Sequence, residues 1–237
     1  MYCDEQALQR VREDRFLINR YDDWLFDQMR PFLGKRILEI GCGLGNLAHY
    51  LIRGEVVVGI DISAESIDQV RARYAAHPQV QALVYDIADE TCLELGRFRF
   101  DTAISINVLE HIEDDQRALS HMWYLLQPGG VLLLVVPAFD WLYGSMDRSI
   151  GHFRRYNKQG LADILESIGF QIQFQKYLNA LGALGWLVNG RLLKNKTPPQ
   201  GQLRLMNPII PLIRRLEGTI SPPIGLSLFT VAHRLEG

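Results

Sequence analysis

Three glycines at alternate positions, Gly41, Gly43 and Gly45, follow the apolar run RILEI, which carries one acid, Glu39. Such glycines let the backbone turn sharply and pass close to a ligand, because no Cβ atom stands in the way. The helical pattern that follows would direct its free amide groups at the same place. This arrangement is typical of a nucleotide site at the carboxyl end of the first strand of a doubly wound sheet. A purely structural turn in another α/β protein is the alternative.

The spacing of the glycines bears on which nucleotide is bound. A dinucleotide fingerprint, G-x-G-x-x-G, would place its third glycine at position 46, where this chain has Asn46. Glu39 adds a carboxylate two residues before the first glycine, which suits an ammonium group better than a pyrophosphate. Both features disfavour a nicotinamide-dependent oxidoreductase.

Two more acids close the next predicted strands, Asp61 after EVVVG and Asp86 after QALVY. The carboxyl ends of parallel strands form the ligand crevice of an open α/β sheet. Asp61 follows the glycine turn by the roughly 20 residues expected of a ribose-hydroxyl acceptor, and a carboxylate can accept both hydrogen bonds of a diol. Asp86 would accept from an adenine amino group, with Ile87 against the ring. Each acid alone could be a solvated strand end, but together they indicate one site.

Length and composition limit the elements that must position these residues. The chain has 237 residues, about 48% of them hydrophobic, which predicts one large domain or one domain with an appendage. Its net charge of −2 lacks the basic excess of a general nucleic-acid binder. Three irregularly spaced cysteines indicate neither a disulfide framework nor a zinc site. The amino terminus lacks the apolar core of a signal peptide, and no apolar run reaches the ~20 residues of a membrane span. We therefore expect a cytoplasmic protein.

The predicted elements alternate. A helical spacing over 5–33 precedes five aliphatic strands separated by helices, including one over 46–53 and one over VLEHIEDDQRALSHMWYLL. This alternation is typical of a parallel sheet covered on both faces. The helix GLADILESIGF, the strand QIQFQKYL and a last strand in GLSLFTVAHRLE follow. An apolar insertion over 178–225 interrupts the pattern, and it can be an edge cover, a lid over a hydrophobic acceptor, or a patch resting on a membrane surface.

The order LEIGCGLG, GIDIS, YDIAD, FDTAISINVLEHI and LLQPGGVLLLVVP resembles the class I S-adenosylmethionine (SAM) methyltransferases over about residues 36–137. NVLEHIEDD, LYGSMDRSIGHFRRYNKQGL and GLSLF are similar to a bacterial methyltransferase group found beside sugar-transferase genes. The resemblance implies an α/β, Rossmann-like fold with a seven-stranded, mostly parallel sheet in the order 3-2-1-4-5-7-6. It also implies a single domain: a helical cover (1–34), a SAM-binding core (35–137), an acceptor-side segment (138–177), the insertion (178–225) and the last strand (226–237).

The resemblance also implies which residues hold SAM. Glu39 and the three glycines would hold its methionine part, and Asn107 would lie beside the sulfonium. Asp61, with Ile62 next to it, would bind the ribose, and Asp86 with Ile87 would bind the adenine. Tyr21 and Trp24 would close over the cofactor, which would leave as S-adenosylhomocysteine.

Residues that could act on the acceptor cluster after the fifth strand. Methyl transfer from a sulfonium mainly needs alignment, and a base is needed only where the acceptor carries a proton. His152 is the favoured base because histidine ordinarily titrates near neutral pH, and Tyr143, Tyr156 and His111 are further catalytic candidates. Arg154, Arg155 and Asp147 are the substrate-binding candidates, since arginine forks suit phosphate or carboxylate. Alternatively, GHFRRY ties this loop to the sheet through salt bridges.

His111 stands beside Glu110 at a position where some O-methyltransferases carry E-x-x-E-H and hold magnesium. Because Asn107 replaces the first Glu, we expect no metal, and His111 would cap the turn or touch the acceptor. SINV after the fourth strand lacks the Pro-Pro-aromatic platform that stacks a flipped base, so we expect no nucleic-acid partner. The predicted function is methyl transfer to a small-molecule acceptor, such as a sugar, a lipid-linked intermediate or a natural-product scaffold, with O-methylation favoured. A non-catalytic SAM-binding sensor or scaffold is the alternative.

Overall fold

A computed structural model describes residues 19–219 and 221–235, together with Asp4, Gln6, Ala7 and Arg10. Within the predicted amino-terminal helical segment, helix α1 spans Asn19–Met29 and runs into a 3-10 turn at Arg30–Phe32. Most of the predicted segment before residue 19 lies outside the described residues. One face of α1 is buried against the sheet, as its apolar spacing predicts.

Seven strands form one sheet in the order β3-β2-β1-β4-β5-β7-β6, which confirms the predicted order. Strands β1 to β5 pair in parallel, and β7 is antiparallel to both β5 and β6. Both faces of the sheet are covered, and for this reason the central strands are almost continuously aliphatic. The strands span Arg36–Ile40 (β1), Val56–Asp61 (β2), Val80–Val84 (β3), Phe100–Ile106 (β4), Leu126–Pro137 (β5), Phe170–Leu178 (β6) and Ser227–Arg234 (β7).

Five α-helices of the described residues lie between these strands: Ala48–Leu51 (α2), Ala64–Arg73 (α3), Asp115–Leu125 (α4), Ser145–Ser149 (α5) and Lys158–Ile168 (α6). A 3-10 helix, Glu90–Phe98, connects β3 and β4. Two of the α-helices differ from the predicted spans. The helix expected over 46–53 is shorter and forms only α2. Gly43 and Gly45 have φ of +50° and +74°, and the turn that they form extends to Leu47, the residue before α2. The helix expected from VLEHI begins only at Asp115, because the side chain of Asp114 accepts the Arg117 N–H and caps it there.

The insertion folds into three helices that lie over the carboxyl ends of the strands, and we call residues 178–225 the lid. Its helices are Ala180–Trp186 (α7), which continues as a π-helical turn over Leu187–Leu192, Gln200–Met206 (α8) and Ile210–Thr219 (α9). The two ends of the lid meet, since the Leu226 N–H donates to the Asn179 carbonyl at 3.1 Å. This placement suits a lid, and it leaves the outer face of the segment available for the third alternative, a patch that rests on a membrane surface. Within the described part of the chain, no helix is both long and apolar enough to cross a membrane.

Candidate active site

A cavity of about 770 Å³ opens at the carboxyl ends of the central strands. Its volume lies in the upper part of the ~300–1,000 Å³ range of small-molecule sites. The glycine turn and the ends of β1, β2 and β4 form its floor, and the lid forms its roof. The cavity therefore lies where the strand-end acids of the sequence predict a ligand.

The glycine turn needs glycine for two separate reasons. At Gly41, φ is +69° and an added Cβ would come within 2.3 Å of Val108 Cγ2. At Gly43, φ is +50° and an added Cβ would meet no atom within 4 Å, which leaves room on the cavity side for a ligand. Gly45 does not line the cavity, because the space for its Cβ faces Val70 and Tyr74. Gly45 thus shapes the turn rather than contacting the ligand, which corrects its predicted role.

Asp61 joins the glycine turn to the end of β2. Its buried carboxylate accepts the Gly43 N–H at Oδ2 and the Ser63 N–H at Oδ1, each at 2.9 Å. The carboxylate also lines the cavity, and each of its oxygens has a second lone pair for a ligand hydroxyl. Asp61 therefore both fixes the turn and is placed to accept from a diol.

The structure brings most of the other predicted cofactor residues to the same cavity. Asp86 and Ile62 lie at its exposed rim, and Asn107 at the end of β4 has φ of +54°. Trp24 is the exception, since it is only 1% exposed, lies in the core and does not reach the cavity. The residues that line it as predicted are Tyr21, Glu39, Gly41, Gly43, Asp61, Ile62, Asp86, Ile87 and Asn107.

His152 lies at the cavity wall with an oriented imidazole. Its Nδ1 is 2.9 Å from Asp147 Oδ1, and its other ring nitrogen, Nε2, is 3.7 Å from Glu110 Oε1. Asp147 is fully buried and also accepts from Arg155 Nε at 2.8 Å and Trp186 Nε1 at 3.0 Å. Burial alone would raise the pKa of Asp147, but the hydrogen bond from His152 and the charge of Arg155 lower that pKa to about 2. An ionised Asp147 therefore holds the imidazole in place.

Glu110, which the sequence analysis names only as the neighbour of His111, is a further functional candidate. Its carboxyl is fully buried at the cavity wall, and Oε1 is 3.7 Å from His152 Nε2. Among the described residues neither oxygen has a hydrogen-bond partner, and burial raises the pKa of Glu110 to about 7. An acid inside the apolar sequence VLEHI was the available signal, because a buried carboxyl without a partner is costly and is often retained for function.

Three predicted acceptor-side residues do not reach the cavity. Arg154 Nη1 forms an ion pair with Asp115 Oδ2 at 2.8 Å, and the Tyr156 hydroxyl donates to the same carboxylate at 2.8 Å. The Tyr143 hydroxyl donates to the His152 carbonyl at 2.8 Å. These three side chains anchor the loop to α4 and to itself rather than to the sheet, and only Arg154 does so through a salt bridge. The structure does not bring them to the cavity, so its geometry does not support the predicted catalytic roles of Tyr143 and Tyr156 or substrate binding by Arg154.

The two other substrate-binding candidates also have internal partners. Asp147 does not line the cavity and is the acceptor of the buried network described above. Arg155 does line it, but its Nη1 donates to the Ala138 carbonyl at 3.0 Å, and its guanidinium lies 5.0 Å from the centre of the Trp186 ring. Asp147 and Arg155 therefore form one network with His152. Asp147 does not reach the cavity as predicted, whereas substrate binding by Arg155 stays a prediction.

Glu110, His111 and His152 are the one group of potential metal ligands within the described residues. One donor atom from each lies within 4.8 Å of the others, and the two histidine rings meet edge-on at 4.6 Å. One carboxylate and two imidazoles suit a transition metal better than magnesium, which prefers oxygen ligands. The absence of a metal therefore stays a prediction.

A family model described as a methyltransferase domain matches residues 12–174. The chain is 27% identical over 172 residues to a Mycolicibacterium smegmatis protein named "Probable S-adenosylmethionine-dependent methyltransferase", a match that covers 71% of this chain and 65% of that protein. It is 34% identical over 117 residues to a ubiquinone biosynthesis O-methyltransferase of Coxiella burnetii, covering 49% of each. The chain thus spans between about half and two thirds of the length of these curated relatives.

Solved structures share the fold at low identity. A structure of the [4+2]-cyclase SpnF superposes with a TM-score of 0.60 at 17% identity, over 92% of this chain and 82% of that one. An S-adenosylmethionine-dependent methyltransferase from Mesorhizobium loti superposes with a TM-score of 0.58 at 17% identity, over 89% and 98%. At this identity the two similarities show a shared fold and do not show a shared reaction.

Proposed function

We propose that this chain, which belongs to the methyltransferase domain family and is a class I SAM-dependent methyltransferase, methylates a small molecule. The proposed acceptor lies under the lid. The observation that carries the proposal is the pairing of two features in one cavity. The glycine turn with Asp61 forms one wall, and the oriented His152 forms another. The first suits a nucleoside cofactor, and the second suits removal of a proton from an acceptor.

The residues at the first wall fit SAM. Asp61 offers its carboxylate for the ribose hydroxyls, Asp86 and Ile87 lie where the adenine is expected, and Glu39 lies beside the turn. Gly43 leaves the space that a side chain would otherwise fill. When bound, SAM supplies an activated methyl group that passes to the acceptor by in-line displacement, leaving S-adenosylhomocysteine.

His152 is the proposed general base. Asp147 holds Nδ1, so Nε2 is the nitrogen that would take a proton from an acceptor hydroxyl as methylation proceeds. Arg155 donates to the same oxygen of Asp147, Oδ1, and its charge keeps that carboxylate ionised without leaving a lone buried charge. The presence of a base supports an acceptor with an ionisable proton, and O-methylation is favoured on this ground.

The roof of the cavity supports an acceptor with an apolar part. Met146 and Ile150 of the α5 segment line it together with side chains of the lid, among them Trp186, Leu203 and Met206. Since both candidate arginines have internal partners, the structure offers a phosphate no free fork in this wall among the described residues. A lipid-linked intermediate or a natural-product scaffold is therefore favoured over a bare phosphorylated sugar.

The experiment is methyl transfer from radiolabelled SAM to pooled hydroxylated lipid-soluble and water-soluble small molecules, with and without a chelator. We expect label in a lipid-soluble product, unaffected by chelation. Turnover that stops with the chelator and returns with Mn²⁺ or Zn²⁺ would assign Glu110, His111 and His152 to a metal site instead. Tight SAM binding without transfer to any acceptor would favour the non-catalytic sensor or scaffold.

A further inference from the structure

Exposed apolar side chains concentrate on the lid. Of the fifteen large hydrophobic side chains that are exposed among the described residues, ten lie between residues 181 and 224. Isolated exposed hydrophobic residues are ordinary, but a contiguous group of them marks an interaction surface. The outer side of the lid therefore differs from the rest of the protein surface.

These side chains form two stripes at helical spacing. The stripe on α7 and the turn that continues it consists of Leu181, Leu184, Val188 and Leu192, and the stripe on α8 and α9 consists of Leu205, Ile209, Leu212 and Leu216. The helices are neighbours, since Asn189 Nδ2 donates to Gln202 Oε1 at 2.6 Å. Ile210 and Ile213 of α9 are buried on its opposite side. Each helix thus carries an apolar face that the fold does not cover.

Basic residues accompany the stripes. Between residues 179 and 224 the sequence has six lysines and arginines and one acid, whereas the whole chain has a net charge of −2. The single acid, Glu217, accepts the backbone N–H groups of Asn179 and Ala180 at 2.9 Å each. All six basic side chains are exposed: Arg191, Lys194, Lys196, Arg204, Arg214 and Arg215.

The ion pairs of Lys196 and Arg214 reduce the charge excess only in part. Lys196 pairs with Asp4 at 3.0 Å, and Arg214 pairs with Asp27 at 2.6 Å. Both pairs are partly exposed and are therefore weak. The lid remains a positively charged region on an otherwise acidic protein.

The apolar surface is continuous with the mouth of the cavity. Leu181 lines the cavity and is also 41% exposed in the α7 stripe. Trp141, which is 46% exposed, lies beside the lid, because Arg191 Nη1 donates to its carbonyl at 2.8 Å. Tryptophan is enriched where a protein meets the headgroup region of a bilayer.

We propose that the outer face of the lid docks on an anionic lipid bilayer surface, with the mouth of the cavity at the interface. Apolar stripes interleaved with lysine and arginine are typical of helices that lie in the plane of such an interface. A protein partner would instead favour an apolar centre depleted of charge. Docking on the bilayer does not depend on the proposed function. Delivery of an apolar acceptor from the bilayer to the cavity rests on it.

The test is flotation of the full chain with vesicles of phosphatidylcholine containing 30% phosphatidylglycerol, and with vesicles of phosphatidylcholine alone. We expect at least tenfold stronger partitioning to the anionic vesicles at low salt, and a decrease at high salt. The double variant Leu205→Ser/Leu212→Ser, which changes no cavity residue, should bind at least tenfold more weakly. The variant Lys194→Gln/Arg204→Gln should lose most of the preference for anionic vesicles.

Matched controls are Val84→Ser/Tyr124→Ser, which removes exposed apolar side chains elsewhere, and Arg53→Gln/Arg97→Gln, which removes exposed charges elsewhere. Both should float like the parent. SAM affinity should be unchanged in all four variants, which shows that they fold and keeps this test separate from that of methyl transfer. Equal binding of the Leu205→Ser/Leu212→Ser variant and its control, or no binding to anionic vesicles, would overturn the proposal. A dimer in sedimentation that Leu205→Ser/Leu212→Ser abolishes, without vesicle binding, would assign the surface to a second copy of the chain.

Discussion

Arg155 and Asp147 form an ion pair inside the protein, with Arg155 Nε 2.8 Å from Asp147 Oδ1 and both side chains almost fully buried. The same carboxylate oxygen lies 2.9 Å from His152 Nδ1. A buried charge of this kind is tolerated because it is paired and hydrogen-bonded on several sides. The proposed base is therefore held by a network whose members depend on one another.

The two neighbouring arginines should differ sharply in their effect on stability. Arg155→Met leaves Asp147 without its cation, and we expect a loss of about 3–5 kcal/mol in the free energy of unfolding. Arg154→Met removes a partly exposed partner of the buried Asp115, which keeps the hydrogen bond from the Tyr156 hydroxyl, and should cost less, about 1–2 kcal/mol. Urea unfolding of both variants measures the difference. Equal losses would contradict the placement of the two side chains.

Replacement of Asp61 should weaken cofactor binding. Asp61→Ala removes the proposed ribose acceptor, the hydrogen bond that holds Gly43 of the glycine turn, and the hydrogen bond from the Ser63 N–H. We expect SAM and S-adenosylhomocysteine to bind the parent in calorimetry, NAD not to bind, and the variant to bind SAM at least tenfold more weakly. Asp68→Ala, on the exposed side of α3, is the matched control and should bind as the parent does. Binding of NAD without SAM would refute the proposed cofactor.

His152→Ala should separate catalysis from cofactor binding. Loss of a general base lowers turnover by roughly 10²–10⁴-fold, while the walls that face SAM stay intact. The measurement is kcat with the identified acceptor, alongside calorimetric SAM affinity. His233→Ala is the control, since His233 lies on β7 next to Gln173 and does not line the cavity. Unchanged turnover in His152→Ala would show that another group takes the proton.

The buried carboxyl of Glu110 should make stability depend on pH. Burial raises its pKa from 4.5 to about 7, so the folded protein holds the proton more tightly than the unfolded chain does. The resulting stabilisation is complete below about pH 4.5 and is lost as the pH rises through 7. Glu110→Gln lacks this loss. Between pH 5 and pH 8 its free energy of unfolding should therefore rise relative to that of the parent by on the order of 3 kcal/mol.

Urea unfolding at several pH values, with a chelator present, measures that gain. Glu166→Gln, at an exposed position, should show no pH-dependent difference from the parent. A constant difference between Glu110→Gln and the parent across this range would show that Glu110 is ionised in the folded protein at all of these pH values.

The sheet order and most of the cofactor wall could be predicted because their signals are local. Aliphatic strands, a glycine turn and acids at strand ends each occupy a few consecutive residues, and the fold then places those ends at one edge. The partners of Asp147 and Asp115 could not be predicted in this way. Trp186 and Asp147 are 39 positions apart, and Tyr156 and Asp115 are 41 positions apart, so sequence spacing says nothing about either pair.

Trp24 and Gly45 show a second limit. Both have residue types that suit a ligand site and lie next to residues that do line the cavity, Tyr21 and Gly43. Tyr21 and Trp24 are three positions apart in α1, yet only Tyr21 reaches the cavity, while Trp24 packs in the core. Which of two neighbouring side chains faces a ligand is decided by the packing of the element.

The hydrogen bond from Trp186 Nε1 to Asp147 Oδ2, 3.0 Å long, runs from the roof of the cavity to the carboxylate behind the proposed base. If α7 swings outward to admit an acceptor or release a product, this bond must break, and the carboxylate loses one of the donors that fix it. Asp147 then orients His152 for proton abstraction with all of its donors in place only while α7 covers the cavity. The open state that exchanges acceptor and product and the closed state that orients His152 are therefore mutually exclusive.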